Sequence, residues 1–187
     1  IWLPILAGVV LLALGRDDNA RAVRWMALVF ALASFVVTIP LITGFDTTQA
    51  GMQFATDLPW IERFNAHYHV AVDGLSVWFV LLTALITVIV VISAWEVITE
   101  RAHQYMGAFL ILSGLMVGVF SACDGLLFYV FFEATLIPMY IIIGVWGGPR
   151  RVYAAFKFFL YTLLGSLLML VALIYLYYKS GGSFDIL

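Results

Sequence analysis

Residues 128–140 read FYVFFEATLIPMY, and this stretch decides the fold. A single carboxylate, Glu133, stands among aromatic and aliphatic side chains, and Pro138 follows five positions later. A helix of a soluble domain would carry a polar face beside such an acid. No such face exists here. Apolarity sustained over about 20 residues is the length that crosses a bilayer. The stretch therefore reads as the middle of a transmembrane helix with one acid inside it.

The rest of the chain agrees. Of its 187 residues 65% are hydrophobic and 11% are charged, against roughly 25% charged in soluble domains. A net charge of −2 argues against nucleic acid as a partner and leaves the lipid bilayer as the expected surroundings. The one cysteine, Cys123, excludes an internal disulfide and a thiolate metal cluster. The first apolar run is followed, not preceded, by Arg16, Arg21 and Arg24, so it does not read as a signal peptide. A start at Ile1 and an end in SGGSFDIL are expected of a fragment.

Six helical spans are predicted, at residues 1–15 (shortened), 23–44, 75–95, 106–122, 125–146 and 153–178. The fold class expected is an all-α polytopic membrane bundle. Basic residues in short loops mark the cytoplasmic side. With alternating spans, Arg16, Arg21, Arg24, Arg101, Arg150 and Arg151 fall on one side, and Arg63 and Lys179 on the other. The amino terminus is thus expected outside. Trp25, Trp60, Trp78, Trp95 and Trp146 lie near span ends, as interfacial anchors do.

The one long connection alternates in character over FNAHYHVAVDG, residues 64–74, the period of a strand. Residues 52–56 are expected to pair with it across a turn at Pro59, giving a short external β-hairpin. Asp73 is a predicted N-cap for the third span, with Ser76 at its third position. His67 and His69 share a strand face with Asp73 in this reading, but a His-x-His pair without a third ligand does not specify a metal. Gly114 and Gly118 form the small-xxx-small spacing that lets helices approach closely.

Among the polar residues Glu133 stands apart. It is the ninth residue of its span, too deep for a short side chain to reach an interface. A charge at the bilayer centre costs from about 3 to beyond 10 kcal/mol, depending on method. Such an acid must be neutral or partnered, either as a structural hydrogen-bonding group or as a site that takes up and releases a proton; the second reading is preferred. Pro138 leaves the carbonyl of Ala134 without its usual donor, one residue from Glu133. Lys157 lies one turn into the sixth span, about 15 Å in depth from Glu133. It either snorkels to the interface or, with Tyr161, begins a polar track inward. Asp124 is expected to cap the fifth span, with a part in the proton path as the alternative.

FYVFFEATLIPMYIIIGVWGG, followed by AAFKFFLYTLLGSLLMLVALIYLY, resembles the subunit M family (subunit 4 in mitochondria) of proton-pumping, antiporter-like subunits of respiratory complex I, the NADH–quinone oxidoreductase. YHVAVDGLSVWFVLLTALI is similar to the same family's hairpin and third helix. The resemblance implies a longer protein of about fourteen spans built around two inverted five-helix repeats. It implies that Glu133 is the family's membrane glutamate, partnered by a lysine on a seventh helix beyond this chain. On this reading residues 1–49 hold the first two spans, 50–73 the external loop, 74–104 the third span and its connection, and 105–187 the start of the translocating domain. Other membrane subunits are the implied partners. The cofactors of the implied complex, NADH, FMN, iron–sulfur clusters and quinone, belong to other subunits, since this chain has no Gly-x-Gly-x-x-Gly and too few cysteines for a cluster. The implied location is the bacterial inner membrane rather than the mitochondrial one. The competing readings are a subunit of a sodium/proton antiporter or membrane-bound hydrogenase, and a structural scaffold.

Overall fold

A computed structural model describes residues 1–186 of the chain. Six helices run in order: α1 (Trp2–Leu14), α2 (Ala20–Thr43), α3 (Ser76–Ser93), α4 (Ala102–Ser121), α5 (Gly125–Trp146) and α6 (Arg151–Lys179). Between α2 and α3 lies a hairpin of β1 (Gln53–Ile61) and β2 (Ala66–Val72). Five helices, α2 to α6, are long and apolar enough to cross a membrane. The first of the six predicted spans is α1, whose 13 residues rise about 20 Å, short of the ~30 Å hydrocarbon core.

The bundle is organised around α4. It packs on α1, α2, α3 and α5, and 56% of its apolar window is buried against 6% for α6. Missing side chains let it do so. A Cβ on Gly8 would lie 2.6 Å from the Gly107 carbonyl oxygen, so α1 and α4 touch backbone to backbone. Of the Gly114–Gly118 pair, Gly114 faces Ile5 of α1 and the preceding Ile1, whereas Gly118 faces the Phe131 ring of α5. One short motif thus serves two neighbours, the close packing that holds helices together in lipid. The core at this crossing gathers Leu11, Val23, Ala27, Val91, Met106 and Leu110. Buried Ser34, Thr83 and Thr87 satisfy their hydroxyls on the carbonyl four residues earlier.

Contacts at the two ends keep the loops sorted. At one end Arg24 donates to the Ile98 carbonyl and Trp146 to the Glu100 carbonyl, and His103 lies against Gly15. At the other, Trp2 donates to the Tyr68 hydroxyl and the Cys123 amide to the His69 carbonyl. Trp25 meets Trp95 edge to face, with ring centroids 5.0 Å apart.

The hairpin differs from the sequence expectation in its turn. Pro59 lies inside β1, opposite His67, and the chain reverses at Glu62–Phe64 with Asn65 in the left-handed conformation. β1 pairs on one side only, and an edge strand has no need of the amide that proline lacks. Asn65 tolerates positive φ better than most residues. Strand β2 accordingly starts at Ala66, not Phe64. Asp73 caps α3 as expected: its carboxylate accepts from the amides of Leu75 and Ser76, and the Ser76 hydroxyl accepts from the Asp73 amide.

Candidate proton site on the fifth helix

Helix α5 starts because Asp124 starts it. This aspartate is 2% exposed, and one carboxylate oxygen accepts from the amides of Leu126 and Leu127 at 3.0 and 3.1 Å. The other accepts from the backbone amide of His67 at 3.0 Å. The carboxylate is therefore at once a cap and a tie between hairpin and helix. Cys123 beside it is buried, and burial holds its thiol above the ordinary range.

From that fixed start the helix sets the direction of everything along it. Tyr140 packs on Phe156 and Phe159 of α6, with ring centroids 5.6 and 5.5 Å away. A Cβ on Gly144 would sit 3.6 Å from that of Ala155. These contacts mark the α6-facing side of α5. Glu133 is seven residues before Tyr140 and eleven before Gly144, two and three turns respectively, so it lies on the same side. Its depth is about 12 Å from the Asp124 end and about 20 Å from the Trp146 end. Glu133 is half-buried, and its Oε1 is buried with no hydrogen-bond partner among the described residues. Tyr129, one turn earlier, lies close enough to the carboxyl group to interact with it electrostatically.

Pro138 does not share this face. With Ala134 it lines an apolar groove of about 430 Å³ toward α1 and α4, where Gln104 is a polar lining residue. Ala134 and Pro138 thus line a different side of α5 from that of the Glu133 carboxyl.

Lys157 does not meet Glu133. It stands two residues from Ala155, about 200° around α6, so it points away from α5. It is exposed, with its ammonium 5.8 Å from the centre of the Tyr153 ring. Its level is about 14 Å from that of Glu133. Tyr161, 81% exposed, continues the same outward side. The proposed track from Lys157 through Tyr161 therefore runs over the outer surface of α6, away from Glu133.

The histidines find partners other than a shared ion. His67 Nδ1 lies 2.9 Å from Asp57 Oδ1 and its Nε2 3.1 Å from Asn65 Oδ1. His69 Nδ1 is 4.0 Å from Asp185. Asp73, expected on their strand face, has left the strand to cap α3. Sequence reasoning passed over Ser166. It is 3% exposed and, with Ala155, one of the two buried residues of α6.

Comparison with known proteins gives this arrangement a class. Residues 122–187, which carry Asp124, Glu133 and Lys157, match the family described as NADH:quinone oxidoreductase/Mrp antiporter, TM. Over this stretch the chain is similar to the antiporter-like integral membrane subunits of that family. Within it the likeness is to subunit M. The chain is 50% identical to NADH-quinone oxidoreductase subunit M of Rhodobacter capsulatus over 96% of its own length and 35% of that protein. It is 41% identical to NADH-ubiquinone oxidoreductase chain 4 of Arabidopsis thaliana, over 97% and 37% respectively. Among solved structures it resembles a chain of respiratory complex I from Thermus thermophilus with bound NADH, with TM-score 0.82 and 33% identity over 98% of this chain and 36% of that one. The chain thus spans little more than a third of the relatives it matches.

Proposed function

We propose that this chain is part of the proton-translocating membrane subunit of an NADH–quinone oxidoreductase, with Glu133 as the group that binds and releases the proton. The observation that carries the proposal is the Glu133 carboxyl itself, deep in a spanning helix and with one oxygen lacking a hydrogen-bond partner among the described residues. Residues 105–187 form the start of the translocating unit. The amino terminus and the hairpin face the outside, and Arg16, Arg21, Arg24, Arg101, Arg150 and Arg151 face the cytoplasm. Redox chemistry, with its NADH, FMN, iron–sulfur clusters and quinone, resides in partner subunits. Asp124 serves as a cap and Lys157 as an outward-facing basic group, neither touching the proton.

The magnitudes suit the task. A cation brought to about 4 Å of an ionised Glu133 gains about 4 kcal/mol at an effective dielectric near 20. Moving one charge across 100 mV costs about 2.3 kcal/mol. Forming and breaking one such pair is sufficient to move a proton against a membrane potential. Subunit-M likeness implies a lysine from the following segment as that cation.

The test is Glu133→Gln in the assembled enzyme. Proton pumping per electron transferred from NADH falls to a small residue while the complex still assembles. Unaltered pumping refutes the role of Glu133. The family's description also embraces Mrp antiporters, and for that reading a sodium gradient rather than NADH oxidation would drive proton movement through the same glutamate.

A further inference from the structure

Of the contacts between α5 and α6, two lead from Glu133 to one residue, Ser166, a third leads to its neighbour, and the Tyr140–Phe156 contact leads to Leu163, one turn away. Stepping seven residues into each helix from the Tyr140–Phe159 ring contact reaches Glu133 and Ser166. Stepping eleven residues from the Gly144–Ala155 contact reaches the same pair. At the other end a Cβ on Gly125 would lie 3.2 Å from Leu173, and eight residues from each brings Glu133 opposite Gly165, next to Ser166. Seven and eleven residues are near-whole numbers of turns, so those two steps preserve the face as well as the level. Ser166 therefore faces the seam at the depth of Glu133.

The hydroxyl is buried and donates to the Thr162 carbonyl at 2.9 Å. Donation to its own helix leaves its lone pairs free to accept. Opposite it, Glu133 Oε1 has no partner among the described residues. We propose that Ser166 is a positioning residue for Glu133, a deepening that rests on the proton-binding role argued above. When the carboxyl is neutral, its O–H donates to Ser166 Oγ while the serine keeps its bond to Thr162. When the carboxyl is ionised, the serine hydroxyl rotates and donates to the carboxylate. The serine gains and loses no proton. It holds one orientation of the acid in each charge state, and its rotation follows the proton on Glu133.

The experiment compares Ser166→Ala and Ser166→Thr with the parent in the complete complex, reconstituted in liposomes, and reads two signals. The first is the infrared carbonyl band of protonated Glu133, assigned by its disappearance in Glu133→Gln. The second is proton pumping at matched electron-transfer rate. Ser166→Ala is expected to shift the band to higher frequency and to slow pumping about tenfold, the scale of one lost hydrogen bond to an ionised group. Ser166→Thr, which keeps the hydroxyl, restores the band and most of the rate. A Glu133 band unmoved by Ser166→Ala overturns the positioning role and leaves the role of Glu133 standing. Pumping insensitive to Glu133→Gln overturns the underlying reading instead. Ser166→Ala slowing without a band shift, unrescued by threonine, identifies a packing role only and also overturns the proposal.

Discussion

Asp124 offers the sharpest test of how α5 is built. Its carboxylate accepts three backbone amides, from Leu126, Leu127 and His67, at 3.0, 3.1 and 3.0 Å, in a position only 2% exposed. Asp124→Ala removes the cap, at about 1 kcal/mol. It also strands the part-buried His67 amide, which adds about 1.5–3 kcal/mol because the lost acceptor is charged. The total is about 2.5–4 kcal/mol. Asp124→Asn is milder, since asparagine caps as well as aspartate. Its side-chain NH₂, however, would face an amide donor, and the expected cost is about 1–2 kcal/mol. Hydrogen exchange of the protein in nanodiscs reads this locally. For the alanine variant, protection at His67, Leu126 and Leu127 should fall by about two to three orders of magnitude, at 1.4 kcal/mol per tenfold. For the asparagine variant the loss is about tenfold and concentrated at His67. Unchanged protection in Asp124→Ala, or equal loss in both variants, would refute the assignment of three bonds to one carboxylate. Asp124→Asn should in addition leave pumping intact, as a capping role requires.

Further outcomes follow from the same physics. Gly8→Ala would push a methyl to 2.6 Å from the Gly107 carbonyl, and the forced separation of α1 from α4 should cost about 1–3 kcal/mol in thermal or denaturant unfolding. The amide of Ser76, the largest influence on Asp73, holds its carboxyl below the ordinary range. That contribution is fully present above the unfolded value near 4 and disappears as pH falls through the lowered folded value, so the stability difference between parent and Asp73→Ala, about 1 kcal/mol at neutral pH, should shrink in strong acid. Burial raises the Cys123 thiol and covers it, so maleimide should label the protein only after unfolding.

How much of this was written in the sequence depends on the range over which each feature is determined. Helices announced themselves because apolarity over a bilayer's width is a local property, and Asp73 and Asp124 were legible as caps because a cap reaches only two or three residues. Glu133 stood out for the same local reason, as one charge in hydrocarbon. The turn was misplaced because proline usually breaks structure, while at Pro59 the strand edge had no partner to lose. The supposed closeness of Pro138 to Glu133 failed on helical angle: adjacent residues in sequence point about 100° apart. Ser166 was invisible because a serine beside a glycine in a spanning helix normally signals packing. Its meaning depends on the register of α5 against α6, which no single stretch of chain contains.

The claim underlying the functional account is that the Glu133 carboxyl changes protonation during each cycle. Time-resolved infrared difference spectroscopy of the complete complex, started by NADH and referenced to Glu133→Gln, observes it directly. The account predicts alternating loss and recovery of the protonated carbonyl band in step with turnover. A band that stays constant, or is absent throughout, while protons are still pumped would contradict it.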